Sequence, residues 1–226
     1  RIQCMAAGFD LDGCLKQAGR VDDILEEALS FGFDERFGYL TCCPTNVGTG
    51  LRASVMVHLP ALVMNNGMER IISSLSRLGM TVRGIYGEGS KALGNIFQIS
   101  NQVTLGVTED ETVQKLTQLV QEVVDAEREL RKKLFEANKI ALQDRIMRSY
   151  GILTNAVSLS SEETMRMLSD IRLGVNLEII ATLNAEQVNE IMYRILPANI
   201  AKHYNLQSAA DRDLKRSEII KEYVKE

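Results

Sequence analysis

The residue types suited to phosphate or guanidinium chemistry gather at two places in this chain. Arg52 stands just beyond the loop Cys43-Pro44-Thr45-Asn46-Val47-Gly48-Thr49-Gly50, and Arg83 directly precedes Gly84. Glycine lets a backbone approach a ligand closely. A guanidinium presents a rigid fork of donors that matches phosphate oxygens two at a time. Exposed amides beside such a fork suit an anion, phosphate first. Glu88, between Gly87 and Gly89, adds a carboxylate, and Cys43 adds a thiol. Each of these also has a plainer reading: a hairpin loop with a surface arginine, a polar loop residue, a small buried hydrophobe. A lone glycine loop does not decide between the two.

The elements that must position these residues follow from periodicity. Tyr39–Cys42 and Ala53–Leu59 are apolar runs on either side of the first loop and read as strands. Met80–Arg83 and Ile96–Ile99 read as two more, and Arg1–Met5 alternates like a strand with one buried face. Residues 10–30 carry Leu11, Leu15, Ala18, Val21, Ile24, Leu25 and Ala28 at helical spacing. Met68–Leu78 is a helix with Ile71, Ile72, Leu75 and Leu78 inward and Gly79 at its C-terminal cap. Thr108 and Glu111 form a capping box for a long helix. Its sequence turns strongly charged at Glu127–Lys133, which marks the approach to a domain boundary. From about residue 137 the pattern is helical only: Ile140, Ile146, Met147, Tyr150 and Ile152 begin it. Ser160 and Glu163 cap another helix, Asn184–Leu196 is closed by Pro197, and residues 210–224 turn Leu214, Ile219, Ile220 and Tyr223 inward. The expected class is α+β, a mostly antiparallel sheet flanked by helices followed by an all-α domain, with domains at 1–134 and 135–226.

Composition sets outer bounds. The chain has 226 residues, 45% hydrophobic and 25% charged, enough for a sizeable core. A net charge of −4 gives no argument for nucleic acid or an anionic membrane surface. No apolar run approaches transmembrane length. The four cysteines, at 4, 14, 42 and 43, lack metal-site spacing, and reduced thiols are the default. His58 and His203 have no ligand-spaced neighbours, and neither they nor any carboxylate cluster suggests a protein-held metal.

The run CPTNVGTGLRASV closely resembles the nucleotide-site signature of the phosphagen (guanidino) kinases. A second stretch, MTVRGIYGEGSKALGNIFQIS, matches another signature of that family, in the right order. RASVM, RGIYGE and GNIFQISN resemble its bacterial branch that phosphorylates arginine side chains in proteins. The likeness runs from Arg1 to about residue 130. It implies an ATP-dependent phosphotransferase with Mg2+ held through the ATP phosphates. It places nucleotide contacts at Arg1, Arg52, Ala53, Ser54, Val55, Met56, Arg83, Gly84, Ile85, Tyr86 and Gly87. Glu88 becomes one of two carboxylates that orient the acceptor guanidinium and take its proton. Cys43 becomes the family's reactive cysteine, its pKa lowered by neighbouring arginines. The family's Asn-Glu-Glu-Asp loop would precede Arg1, so the chain is expected to be a C-terminal part.

Further on, Arg212-Asp213-Leu214-Lys215-Arg216-Ser217 resembles the Arg-Asp-x-x-Arg-Ala motif of that branch, with Ser217 departing from it. The resemblance makes Arg212, Asp213 and Arg216 a phosphoarginine site, and i,i+4 spacing puts the two arginines on one helix face. It also implies a cytoplasmic homodimer in stress response and protein quality control. Its partners would be proteins with exposed arginine, a zinc-containing activator, a Clp-type protease and a heat-shock repressor. Two other readings stay open: a kinase of a free guanidino metabolite, and a catalytically incomplete phosphoarginine-binding module.

Overall fold

The structure, a computed structural model, describes residues 1–84 and 92–225. The expected site residues Ile85, Tyr86, Gly87 and Glu88 lie outside the described residues. In chain order the elements are α1 (Leu11–Glu26), β1 (Phe33–Asp34), β2 (Gly38–Tyr39), β3 (Ser54–His58), α2 (Pro60–Met64), α3 (Met68–Arg77), β4 (Met80–Gly84) and β5 (Ile96–Asn101). Then come α4 (Glu109–Ala137), α5 (Lys139–Asn155), α6 (Ser161–Asn176), α7 (Ala185–Arg194), α8 (Pro197–Tyr204) and α9 (Ala209–Lys225). The fold is α+β and mostly helical. Its described residues form two compact units, one of 1–57, 67–84 and 97–126, the other of 58–66, 92–96 and 127–225.

The first unit holds the strands. β1 pairs antiparallel with β2, and β5 lies between β3 and β4 in a three-stranded sheet. The ladder between β4 and β5 sets Val82 opposite Ile99 and Arg83 opposite Gln98. Directly opposed residues share a sheet face, so alternation separates an apolar face from a polar one. Met80 and Ile99 are buried, and Ala53 and Val57 are buried on β3 and just before it. Val113, Leu116, Leu119, Val120 and Val123 add the buried stripe of α4. α4 starts where the capping box requires: Thr108 N donates to Glu111 Oε2 at 2.9 Å, and Glu111 N donates to Thr108 Oγ1 at 3.2 Å. Gly79, at φ +78°, closes α3 by donating its N–H to Ser76 O.

Several expectations for this unit are corrected. Arg1–Met5 joins no strand among the described residues. The strand expected at Tyr39–Cys42 is only Gly38–Tyr39. α1 forms with Asp10 as its N-cap, yet none of its residues is buried, and Val21 and Ile24 are exposed. Helical spacing specifies a helix; it does not specify what covers the apolar stripe. On α3 only Leu75 of the expected stripe is buried.

The second unit is a helical assembly around Ile146, Leu153, Leu168, Ile171, Val188, Ile191 and Ile220, all fully or nearly fully buried. Ser160 caps α6, accepting from Glu163 N. Asn184 and Gln187 form a reciprocal capping box on α7. Pro197 does not merely end a helix. It occupies the first turn of α8, where its missing N–H costs nothing. Leu214 is exposed, while Ile219 and Ile220 are inward as expected. Ile140 is 84% exposed and Met147 and Ile152 are also largely open, so only Ile146 of that stripe is core.

The charged run at Glu127–Lys133 contains a buried anion. Glu127 is 2% exposed. Its carboxylate accepts Ala61 N at 3.0 Å, Leu62 N at 2.9 Å and Arg131 Nε at 2.6 Å. It thus caps the start of α2, where the amides are unpaired and the helix dipole favours a negative charge. Nearby, His58 Nε2 bonds Ser169 Oγ at 2.8 Å, and Asn95 Nδ2 donates to the same hydroxyl at 2.8 Å. Burial, then Arg172 and Arg131, hold the His58 pKa well below its ordinary value.

Candidate phosphate-binding face and its supports

The polar face of the three-stranded sheet gathers the residues that could bind phosphate. Gln98 Nε2 donates to Ser54 Oγ at 3.0 Å. Arg83, opposite Gln98, therefore shares a face with Ser54. The two-residue period of β3 carries that face from Ser54 to Met56, and Arg52 lies two residues before the strand. Met56 and Arg52 are both exposed, and Arg83 is half-buried. Ala53 and Val55, which the resemblance adds to this region, alternate to the opposite, apolar side, so any contact they make runs through their backbone. Gly84 ends β4 and is buried. Arg1 is exposed in the N-terminal segment.

Arg52 is not itself in a strand. What fixes its backbone is Asn101, a buried residue at the end of β5. Asn101 Oδ1 accepts Ala53 N at 2.8 Å, and its Nδ2 donates to Leu51 O at 3.0 Å and Val103 O at 3.1 Å. One amide thus grips the chain on both sides of Arg52. Thr104 does similar work for the preceding loop. Its hydroxyl lies 3.1 Å from Thr45 O and 2.8 Å from Val47 O, and its carbonyl accepts Thr49 N at 2.9 Å. Sequence reading passed over both residues. The available signal was a polar residue closing an otherwise apolar strand, which needs a buried partner.

The loop glycines also prove to serve the protein before any ligand. A Cβ on Gly48, at φ +113°, would stand 2.1 Å from Thr104 O, so the backbone of residues 104–105 occupies that space. Gly50 takes a left-handed turn at φ +63° with nothing closer than 3.8 Å to such an atom. Close approach of a ligand therefore remains open at Gly50 and is taken by the chain itself at Gly48.

Cys43 is exposed, and its Sγ lies 3.0 Å from Thr45 Oγ1. Its thiol pKa is lowered by the Thr45 hydroxyl first and the Thr45 amide second. The expected direction holds, but its cause is corrected: hydrogen bonds from two residues along stabilise the thiolate, and no arginine is among the contributors. No group of three or more His, Cys, Asp or Glu side chains placed to hold a metal occurs among the described residues. No described helix is long and apolar enough to cross a membrane.

In the second unit, Arg212, Asp213 and Arg216 all lie on α9, but the two guanidinium groups are engaged differently. Arg216 is 1% exposed. Its Nε donates to Ile195 O at 3.0 Å and its Nη1 to Leu159 O at 2.7 Å, with Asp213 Oδ1 as a further acceptor. Leu159 N donates in turn to Asp213 O. Arg212 is half-buried, and its Nη1 donates to the Gln207 carbonyl. Ser217, the departure from the motif, donates its hydroxyl to Ala156 O.

The family model described as ATP:guanido phosphotransferase, C-terminal catalytic domain, matches residues 1–130. One described as Protein-arginine kinase McsB C-terminal domain matches residues 139–226. A protein-arginine kinase of Bacillus licheniformis is 49% identical over 226 residues, covering 100% of this chain and 62% of the relative. One of Clostridium tetani is 46% identical over the same span, covering 66% of that relative. One of Bacillus subtilis is 48% identical over 223 residues, covering 98% of this chain and 61% of the relative. The chain thus spans between three fifths and two thirds of the length of these curated relatives. A solved lombricine kinase aligns with a TM-score of 0.48 and 32% identity over 58% of this chain and 35% of that one.

Proposed function

The chain belongs to the ATP:guanido phosphotransferase family across residues 1–130, and on that premise we propose that it is part of an ATP-dependent kinase of arginine side chains in proteins. One coincidence carries the reading. Arg83, on the polar face of the sheet, and Arg52, just before β3, lie within residues 1–130, and the remainder matches a domain described for protein-arginine kinases. The relatives that share this whole span are named protein-arginine kinases.

ATP, when bound, supplies the γ-phosphoryl group, and Mg2+ travels on its phosphates. The donor set suits that arrangement. The Arg83 guanidinium, with Gln98 and Ser54 on the same face, offers hydrogens to phosphate oxygens. Arg52 and Arg83 grip the phosphate oxygens, with Arg1 as a third contributor, and offset the charge that spreads over them during transfer. Asn101 keeps Arg52 in register. Glu88 orients the incoming guanidinium and takes its proton as the new bond forms. Cys43, present as thiolate more often than an ordinary cysteine, aligns that guanidinium electrostatically.

Arg212, Asp213 and Arg216 form a phosphoarginine-responsive site, Arg212 as the direct contact. The same reading extends to a cytoplasmic homodimer acting in stress response and quality control. A zinc-containing activator, a Clp-type protease and a heat-shock repressor are its partners. The test is an assay of the full-length protein with labelled ATP and Mg2+, offered either free arginine or an arginine-rich protein. Acid-labile label on arginine side chains of the protein is the expected product, and it disappears in Arg52→Lys and Glu88→Gln. Label confined to the free amino acid overturns the protein-substrate reading.

A further inference from the structure

Two cations of α9 reach back to one short turn of the helical unit. α8 ends at Tyr204, Asn205 follows in the left-handed region at φ +53°, and α9 begins at Ala209. The reversal is held by its own backbone: Leu206 N donates to Ala201 O at 3.3 Å, and Arg212 N to Ser208 O at 3.2 Å. Arg212 Nη1 donates to the Gln207 carbonyl. Lys215 Nζ stands 4.6 Å from the centre of the Tyr204 ring. Positions 212 and 215 are three apart, so they share one side of the helix about one turn from each other. Both charged heads are therefore confined to the stretch Tyr204–Gln207. Lys221, nine residues beyond Arg212, lies about half a turn round the helix axis from it.

A phosphoryl group presents three acceptor oxygens. One guanidinium fork takes two of them, and the third needs another donor. Arg216 does not supply it: that side chain is 1% exposed, and it is spent on Ile195 O, Leu159 O and Asp213. Lys215 is differently placed. The negative face of the Tyr204 ring attracts its ammonium group without using up its three hydrogens. Its ionic partner is Glu218 at 2.8 Å, a side chain 62% exposed. An ion pair so open to water contributes little, so phosphate oxygens can draw the ammonium away from it. We propose that Lys215 is the second cation of the phosphoarginine site, taking the oxygen that the Arg212 fork leaves free, with Tyr204 as the positioning residue that aims it. The assignment rests on the reading of α9 as a phosphoarginine site. Glu218 becomes a competitor that holds Lys215 while the site is empty.

Calorimetric titration of the full-length protein with a phosphoarginine peptide tests this. Lys215→Gln should weaken binding by about tenfold, as loss of a charge-assisted hydrogen bond does, at an unchanged melting temperature. Lys215→Arg keeps the charge and should recover most of the affinity. Tyr204→Phe keeps the ring and should bind like the wild type, whereas Tyr204→Leu should bind more weakly. Glu218→Gln releases Lys215 and removes a repelling carboxylate, so it should bind more tightly, an effect that a merely structural role would not produce. The inference is overturned if Arg212→Ala weakens binding while Lys215→Gln, normally folded, binds like the wild type. A wild type that takes up no phosphoarginine peptide fails one step earlier and removes the phosphoarginine reading of α9 as well.

Discussion

A thiol's reactivity depends on what touches its sulfur, and Cys43 is touched by Thr45. The hydroxyl and amide of that residue lower the pKa of an otherwise exposed thiol. Alkylation of Cys43 should therefore begin at lower pH than that of an ordinary cysteine, since the thiolate is the reacting form. Thr45→Val removes the hydroxyl and keeps the amide, so the pH–rate profile should move part of the way back. A profile unchanged by Thr45→Val would mean that the hydroxyl is not the cause. His58 gives a second test of the same kind, on stability. Its folded pKa is depressed well below the ordinary 6.5 by burial first, then Arg172 and Arg131. As pH falls through 6.5 the unfolded chain takes up a proton there and the folded protein does not. The unfolded state then binds more protons, so the contribution is complete above that value and lost progressively below it. His58→Gln keeps a hydrogen-bonding side chain near Ser169 and removes the titration. Its melting temperature should fall less steeply than the wild type's between about pH 7 and about pH 5. Equal slopes would exclude His58 as the group responsible.

The strand ends are where geometry is delivered to the candidate phosphate-binding face, and the Asn101 amide controls the one beside Arg52. Asn101→Ala would strand the Ala53 N–H and release Leu51 and Val103. Leaving a buried donor unpaired costs about 1–3 kcal/mol, and the chain around Arg52 loses its fixed path. The expected result is a fall in stability of that order together with weaker ATP binding by calorimetry, on a scale of about tenfold. If ATP affinity were unchanged while stability fell, Asn101 would hold the sheet edge without positioning Arg52. This element also marks the limit of what could be read beforehand. The starts of α4 and α6 were legible because each cap is a conversation between residues three apart, such as Thr108 with Glu111. Arg52 and Arg83 were legible as candidates because the family's signatures are local in sequence. The clasp at Asn101 spans 48 residues, and the buried carboxylate of Glu127 reaches 66 residues back to Ala61. Periodicity carries no trace of such partners. For Glu127 the charged run marked only the approach to a domain boundary and gave no sign of a buried carboxylate. The exposed stripe of α1 failed in the opposite sense: the pattern was right, and the cover it implied is not supplied by any described residue of its unit.

At the scale of the molecule, the two units offer different chemistry, and the helical one must be probed without confusing recognition with folding. Arg216 braces α9 against the residues before α6 and after α7 through Leu159 and Ile195, and it is paired with Asp213. Removing one partner of a buried, hydrogen-bonded charge pair costs about 3–5 kcal/mol. Arg216→Ala should therefore unfold or loosen the helical unit, visible as a much lower melting temperature. Loss of phosphoarginine binding in that variant would say nothing about contact. Arg216→Lys is no safer, because an ammonium group cannot reproduce a fork aimed at two carbonyls on different segments. Arg212 separates the questions. It is half-buried, and the carbonyl it touches, that of Gln207, is exposed. Water can take its place there at little cost, so Arg212→Ala should leave the melting temperature within about one degree of the wild type. If Arg212 is the residue that grips the phosphoryl oxygens, the same variant should weaken binding of a phosphoarginine peptide by about tenfold or more, as loss of a charge-assisted hydrogen bond does. Unchanged affinity in a variant that folds normally would remove phosphoarginine recognition from α9 and leave Arg216 and Asp213 as a purely structural brace.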